Sequence, residues 1–253
     1  MTLEPGRRAL GWASVTLLVL GWQALALWQA SRFLPTPLMV ADHLVWLLRD
    51  GHLVEDFAIT LARAAVGFVI AMGLGTAIGV LLGRSRILDG LFLNWVLVGM
   101  NLPAIVIGIL CFIWLGLTDT ALILAVVLNK TPLVITNIRQ GVRSLDPAYD
   151  EVARAYRFDS TRTLRLIHLP QLVPYILISA RTGLSLVWKM VLVFEVLGAD
   201  SGVGFRVSLF FQFFDIQGIL AYTVVFVALV MLLEHLCIGP LERRLLQWRA
   251  DPV

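Results

Sequence analysis

The chain is short of charge: 15% of its 253 residues are Asp, Glu, Lys or Arg, against 59% hydrophobic ones. That balance excludes a soluble globular domain of this size, in which about a quarter of residues are charged. Its solvent is largely lipid. Histidine and cysteine are scarce as well. The four histidines, His43, His52, His168 and His235, form no His-x-x-x-His or His-Glu-x-x-His spacing, so no helical metal site is written in the sequence. The two cysteines, Cys111 and Cys237, fall inside apolar runs without metal-ligand spacing and read as small core hydrophobes. There is no Gly-x-Ser-x-Gly elbow and no Gly-x-x-x-x-Gly-Lys-Ser/Thr phosphate loop, so neither acyl transfer nor ATP hydrolysis has a recognisable centre here. The basic surplus, a net charge of +3, speaks of orientation in a membrane rather than of nucleic acid.

What the chain does have is long apolar runs. A spanning helix needs roughly 20 apolar residues. Six runs qualify: Ala9–Gln29, Phe57–Gly83, Leu91–Leu115, Ala121–Ile138, Val173–Leu197 and Leu220–Ile238. The expected fold is therefore all-α, one polytopic membrane domain over residues 1–253 with about six transmembrane helices. The first run follows Arg7 and Arg8 but lacks a small-x-small cleavage site and a polar mature sequence after it, so it reads as a retained helix and not a signal peptide. Asn101-Leu102-Pro103 interrupts the third run, and a mid-span proline removes a backbone donor, which predicts a kink or break of the kind that often lines a pathway.

Basic residues set the orientation. Arg7, Arg8, Arg84, Arg86, Arg139, Arg143, Arg154, Arg157, Arg162, Arg165, Arg243, Arg244 and Arg249 share one side of a six-span arrangement, and Arg32, Arg49 and Arg206 fall opposite. The positive-inside rule puts both termini and the long loop after the fourth run in the cytoplasm. Between the first two runs, Leu34-Pro35-Thr36-Pro37 precedes a mixed apolar and polar stretch, which predicts a short helix at the outer surface. In the second run, Gly67, Ala71, Gly75, Gly79 and Gly83 put a small residue at every fourth position. Such a face serves packing within one bundle or dimerisation equally well.

The loop within residues 141–170 is too polar for lipid and too well punctuated for a linker. Asp146-Pro147 supplies an N-cap and a first-turn proline for a helix to about Arg157, on which Tyr149, Val152, Ala153 and Tyr156 recur at three- and four-residue steps. Asp159-Ser160 starts a second helix that runs to Leu169-Pro170, where proline marks the return to the membrane. Such a helix pair can present a knob to a partner.

Here Glu151-Val152-Ala153-Arg154, followed by Ile167-His168-Leu169-Pro170, resembles the EAA loop of binding-protein-dependent ABC importer permeases. Leu34-Pro35-Thr36-Pro37, Gly51-His52-Leu53, Thr60-Leu61-Ala62-Arg63 with Gly67-Phe68, Leu102-Pro103, Gly141-Val142, and Trp188-Lys189 with Glu195 are similar to the nitrate, sulfonate, taurine and bicarbonate permease group. Related members import thiamine or riboflavin precursors. The resemblance covers most of the chain. It implies a coupling helix marked by Glu151 and Ala153, with Val152, Arg154, Arg157, Leu169 and Pro170 in the same ATPase-coupling loop. It implies two ATPase subunits that carry ATP and Mg, a second permease copy (a homodimer or close heterodimer), an extracytoplasmic solute-binding protein, and a bacterial inner membrane. No cofactor is implied for this chain. In one respect the sequence departs from the family: where the pattern has glycine six residues after the glutamate, this chain has Arg157. A left-handed turn there costs a side-chain-bearing residue about 1 kcal/mol, which predicts a turn shifted toward Phe158-Asp159.

Ionisable residues inside a membrane usually face an interior or an aqueous cavity. Arg63 and Glu195 near the outer helix ends, and Arg181 and Glu234 near the inner ones, are explained by snorkelling. Lys130 and Lys189 lie deeper. They either line a pathway or pair with Glu195 or backbone carbonyls. With Arg63 and Arg181 they make the interior net basic, which suits passage of an anion. The candidate pathway residues are thus Lys130, Lys189, Arg63, Asn101 and Glu195. Asn101, Asn129 and Asn137 serve interhelical hydrogen bonds as readily as substrate. An ion-coupled secondary transporter using Glu195 or Glu234 explains intramembrane charge, but not a structured helix pair between the fourth and fifth spans, and no inverted repeat is visible. A lipid-modifying enzyme needs a residue cluster at one membrane face, and none is present.

Overall fold

The computed structural model describes residues 5–29, 31, 33–233 and 236. Arg32, Glu234, His235, Cys237, Ile238, Arg243, Arg244 and Arg249 lie outside the described residues, as do the side chains of Arg7 and Arg8. Among the described residues every regular element is a helix: α1 Pro5–Gln29, α2 Pro37–Asp50, α3 Leu53–Arg84, α4 Arg86–Asn101, α5 Ala104–Leu115, α6 Asp119–Arg143, α7 Pro147–Ala155, α8 Ser160–Thr163, a π-helical turn Leu164–His168, α9 Leu169–Gly198, α10 Val203–Gln212 and α11 Ile216–Leu233.

Leu53–Arg84, Asp119–Arg143, Ser160–Gly198 and Ile216–Leu233 are each long and apolar enough to cross a bilayer. The third expected span is two helices, α4 and α5, meeting at 97° at Leu102-Pro103. Taken as one broken span, the pair makes a fifth crossing, and α1 carries a shorter apolar stretch, Ala13–Gln29. The break follows from chemistry at one place: Leu102 and Pro103 adopt extended backbone with ψ near 128° and 127°, as expected for a proline and the residue before it. Proline does not always have that effect. Pro132 and Pro174 sit inside α6 and α9, which continue past them.

The core is the α3–α6 seam with α9 laid across it. A Cβ added at Gly75 would sit 2.5 Å from the Val134 side chain, one at Gly79 2.8 Å from Ile138, and one at Gly83 2.6 Å from Val142. The fourth-position pattern therefore serves packing within this bundle. Two helices approach closely because one offers no side chains along the contact, which maximises dispersion contacts where lipid supplies no hydrophobic drive. Gly75→Ala is expected to cost about 1–3 kcal/mol by overpacking. Gly73→Ala, with nothing within 4 Å, is the neutral control. Thermal unfolding of the detergent-solubilised protein separates the two, and equal melting temperatures would show that the seam yields.

The expected surface helix is α2, capped by Thr36 Oγ1, which accepts from Met39 N at 3.3 Å. It buries Val40 and Leu47 against Ala221 and Tyr222 of α11 and leaves Leu38, Val45 and Trp46 exposed. Trp22 of α1 donates its indole N–H to Pro35 O at 3.1 Å, tying α1 to the segment before α2. The short helix α10 was not expected. It fills the connection between the last two spans, and its Val203 and Val207 pack in the same cluster as α2 and α11.

Candidate functional site

At the end of the bundle where α3 and α6 finish, the loop folds as two helices. Asp146 caps α7, its Oδ1 accepting from Ala148 N at 2.9 Å, and Asp159 caps α8, its Oδ1 accepting from Arg162 N at 3.1 Å. The turn between them stays at Arg157, which has φ 53°. Phe158 N donates to Ala153 O and Arg157 N to Arg154 O, which is the six-to-one and five-to-two pairing of a left-handed helix stop. The expected shift toward Phe158-Asp159 is thus corrected. Two satisfied carbonyls offset the roughly 1 kcal/mol of a non-glycine residue in this conformation.

One further expectation about the loop needs correction. Pro170 does not end a helix: chain 160–198 runs as one helix of 39 residues. The π-helical turn before it makes Leu169 N bond to Leu164 O, five residues back, and that wider turn accommodates a residue with no N–H to give. Ala153, which the resemblance marks together with Glu151, faces inward. It is 4% exposed, packed beneath α7, while Glu151, Val152 and Arg154 are exposed together with Tyr149 and Tyr156. A nine-residue helix that leaves Tyr149, Val152 and Tyr156 in solvent has an unfilled apolar face at the tip of the molecule.

The loop is tied to the bundle by one ring. Arg84 Nη2, at the end of α3, lies 3.0 Å from His168 Nδ1, and His168 Nε2 lies 2.8 Å from Asp150 Oδ1 on α7. A guanidinium only donates, so Nδ1 accepts and the Nε2–H donates to Asp150. His168, singled out in the sequence only as part of Ile167-His168-Leu169-Pro170, joins α3, the π-helical turn and α7.

The intramembrane charges are sorted differently from the snorkelling expectation. Arg63 (4% exposed) and Glu195 (1% exposed) are buried against each other, Nη1 to Oε1 at 2.8 Å. Thr60 Oγ1 donates to Glu195 at 2.9 Å and Gly204 N at 2.8 Å, while Arg63 reaches Asp119 Oδ1 at 2.9 Å through Nε and Ser201 O at 2.7 Å through Nη1. The reason is geometric. Thr60 and Arg63 lie three residues apart on the face of α3 that meets α9, and the stop of α9 brings 201–204 back over them. A carboxylate with three donors inside a bundle needs no interface to snorkel to. A second network, Arg206 Nε to Asp56 Oδ2 at 2.9 Å and Tyr222 Oη to the same oxygen at 2.7 Å, fixes α10 to α3 and α11. At the loop end Asp89 of α4 receives Arg139 and Arg143 of α6.

Lys130 and Lys189 do not pair with Glu195. Lys130 is buried and makes no hydrogen bond or ion pair among the described residues. With Val126 against Gly67 and Val134 against Gly75, the four-residue register sets Lys130 opposite Ala71 in the α3–α6 seam. Lys189 is exposed in the body of α9, as are Thr182 and, partly, Ser185. At 3.6 residues per turn these three lie within about 60° of one another. The sequence carried this stripe as polar residues at i, i+3 and i+7 within a span, a signal that a reading by single charges passes over. Asn101 is exposed at the α4–α5 break, its Nδ2 donating to Leu97 O at 2.8 Å. Beyond Lys189 the same face of α9 borders a cavity of about 360 Å³ shared with α5, α10 and α11. No cluster of three or more His, Cys, Asp or Glu suited to a metal occurs among the described residues.

Comparison with known proteins bears on all of this. Residues 70–239 match the family of binding-protein-dependent transport system inner membrane components. The aliphatic sulfonates transport permease protein SsuC of Bacillus subtilis is 31% identical over 97% of this chain and 91% of its own length. The taurine transport system permease protein TauC of Escherichia coli is 27% identical over 87% of this chain and 81% of its own, and the bicarbonate permease CmpB of Synechococcus elongatus is 28% identical over 74% and 68%. Among solved structures, the MetNI methionine ABC transporter in inward-facing conformations matches in fold with a TM-score of 0.66 at 19% identity, over 79% of this chain and 96% of that one. An amino acid ABC transporter matches with a TM-score of 0.63 at 18% identity, over 76% and 93%. The extent of the family match, joined to the bundle and the capped loop, leads to one conclusion: the chain belongs to the binding-protein-dependent ABC transporter inner membrane components, as a permease subunit.

Proposed function

We propose that this permease passes a small anionic solute, of the sulfonate, taurine, nitrate or bicarbonate kind, across the inner membrane by alternating access. Two copies work on two ATPase subunits and receive solute from an extracytoplasmic binding protein. The loop end and both termini face the cytoplasm, in keeping with Arg84, Arg86, Arg139, Arg143, Arg154, Arg157, Arg162 and Arg165 at that end. The α7 tip, with Glu151, Val152 and Arg154 outward, is the ATPase contact, and Ala153 supports it from beneath.

The observation that carries the reading is the unburied polar stripe Thr182, Ser185 and Lys189 on α9. A lysine held in lipid at mid-span is costly, so this face of α9 meets water or a second copy. Lys189 supplies the positive charge that attracts an anion along it. Asn101 and the broken span stand beside the same route. Arg63 and Glu195 are locked in a structural network and Lys130 lies a layer behind, so the pathway narrows to the α9 face.

Ser185→Cys tests this. In the assembled transporter a membrane-impermeant, charged thiol reagent is expected to label Cys at 185 but not at 69, an exposed apolar position on α3. Absence of labelling at 185 would remove α9 from the pathway.

A further inference from the structure

The face of α9 that carries Lys189 changes chemistry one turn further on. Val193 and Val196 lie within about 40° of Lys189 around the helix axis, and both border the cavity of about 360 Å³. Its other walls are Ile105 of α5, Val207 of α10, and Thr223 and Phe226 of α11. Ile105 follows Asn101 by one turn's worth of chain, so the break in the third span is what opens this wall. Four elements thus border an apolar space that begins one turn beyond Lys189, a cation with no ion pair among the described residues, on the same helix face.

The two halves of that arrangement ask for different things. Inorganic oxyanions such as nitrate or bicarbonate gain nothing from aliphatic walls, and shedding water to sit among them is costly. Conversely, an uncharged apolar solute has no use for Lys189. The space falls within the 300–1,000 Å³ of pockets that enclose organic ligands and has room for roughly ten waters. We propose that this chain carries an intramembrane site for an amphiphilic organic anion, with the charged head at Lys189 Nζ and an unbranched apolar tail between α5, α9, α10 and α11. The proposal rests on the reading that the α9 face lines the pathway, and adds that the permease itself selects for tail length. Each methylene taken into the cavity adds about fourfold in affinity.

The test uses the permease–ATPase complex in phosphatidylcholine nanodiscs without binding protein, titrated calorimetrically with 1-alkanesulfonates from methane to hexane. Affinity is expected to rise about fourfold per methylene until the cavity is filled. Lys189→Met is expected to weaken every member at least tenfold. Val207→Phe, which narrows the space, is expected to flatten the series while methanesulfonate binds as before. Val196→Phe repeats that arm from another wall, and co-purification with the ATPase shows that each variant is folded. A flat series in the wild type, or a rising one untouched by both Phe variants, overturns the proposal. So does loss of hexanesulfonate binding when phosphatidylglycerol replaces part of the disc lipid, because the occupant is then a lipid. These failures leave the pathway reading standing as long as Cys at 185 is labelled from water. If Cys at 185 is not labelled, both fall together.

Discussion

Arg63→Met is expected to cost about 3–5 kcal/mol of stability, the loss that follows when one partner of a buried ion pair is removed. Glu195, with its side chain wholly buried, is left charged or forced to take a proton, and Asp119 and the Ser201 carbonyl lose their donor as well. Folded proteins hold only about 5–15 kcal/mol in reserve, so most of the permease should fail to accumulate in the membrane. Glu195→Gln is milder because the amide keeps an acceptor for Thr60 Oγ1 and Gly204 N. The double variant Arg63→Met with Glu195→Met removes the stranded charge and should recover more than half of the loss. Melting of the detergent-solubilised protein gives all three values. If Arg63→Met melts within about 2 °C of wild type, on the scale of 2–4 °C per kcal/mol for a chain this long, the network is peripheral.

Glu151→Arg combined with Val152→Asp is expected to abolish co-purification with the ATPase while leaving the permease itself as stable as before. Both side chains are exposed, so neither change disturbs the packing of α7. A docked helix of nine residues concentrates its binding energy in few contacts, and losing two central ones costs at least about 2 kcal/mol each when they are anchors, some thirtyfold apiece. Ala153→Asp is the instructive contrast. Its site is buried within the chain, so it should loosen the loop and lower the melting temperature whether or not the partner is present. Retention of the ATPase by the Glu151 and Val152 pair would move the coupling surface elsewhere, with the α8 side of the turn at Arg162 next in line.

Local chemistry was legible in the sequence wherever one residue decides the outcome with its neighbours. Asp146-Pro147 and Asp159-Ser160 start helices because cap and first turn lie within three residues. Leu102-Pro103 breaks a span for the same reason, and the fourth-position glycines declared a tight contact, although only the structure shows its partner to be α6. What stayed hidden depends on contacts distant in the chain. Arg63 and Glu195 are 132 residues apart, and a residue near a helix end can snorkel or pair, a choice made by what packs over it. Pro170 was misread because a π-helical turn, not the proline, sets the backbone there. The burial of Ala153 was hidden because helical spacing gives the face a residue occupies and not which side of the helix the rest of the chain covers. Of the site, Lys189 was named from the sequence. Its companions Thr182 and Ser185, and the cavity beyond them, became visible only once α9 had a buried side and an open one.

The 39-residue helix from Ser160 to Gly198 has a mechanical corollary. At 1.5 Å per residue it is about 59 Å long, a connecting rod with the α7 loop at one end and Glu195 at the other. Rocking it by roughly 5° about its middle carries each end roughly 2.5 Å in opposite directions. Under the proposed coupling, a push at the loop end and a pull at the far side are the same movement of one hydrogen-bonded backbone, and Lys189, beyond the pivot, travels with the far end. On that proposal, opening to one compartment and sealing from the other need no relay of side chains between them.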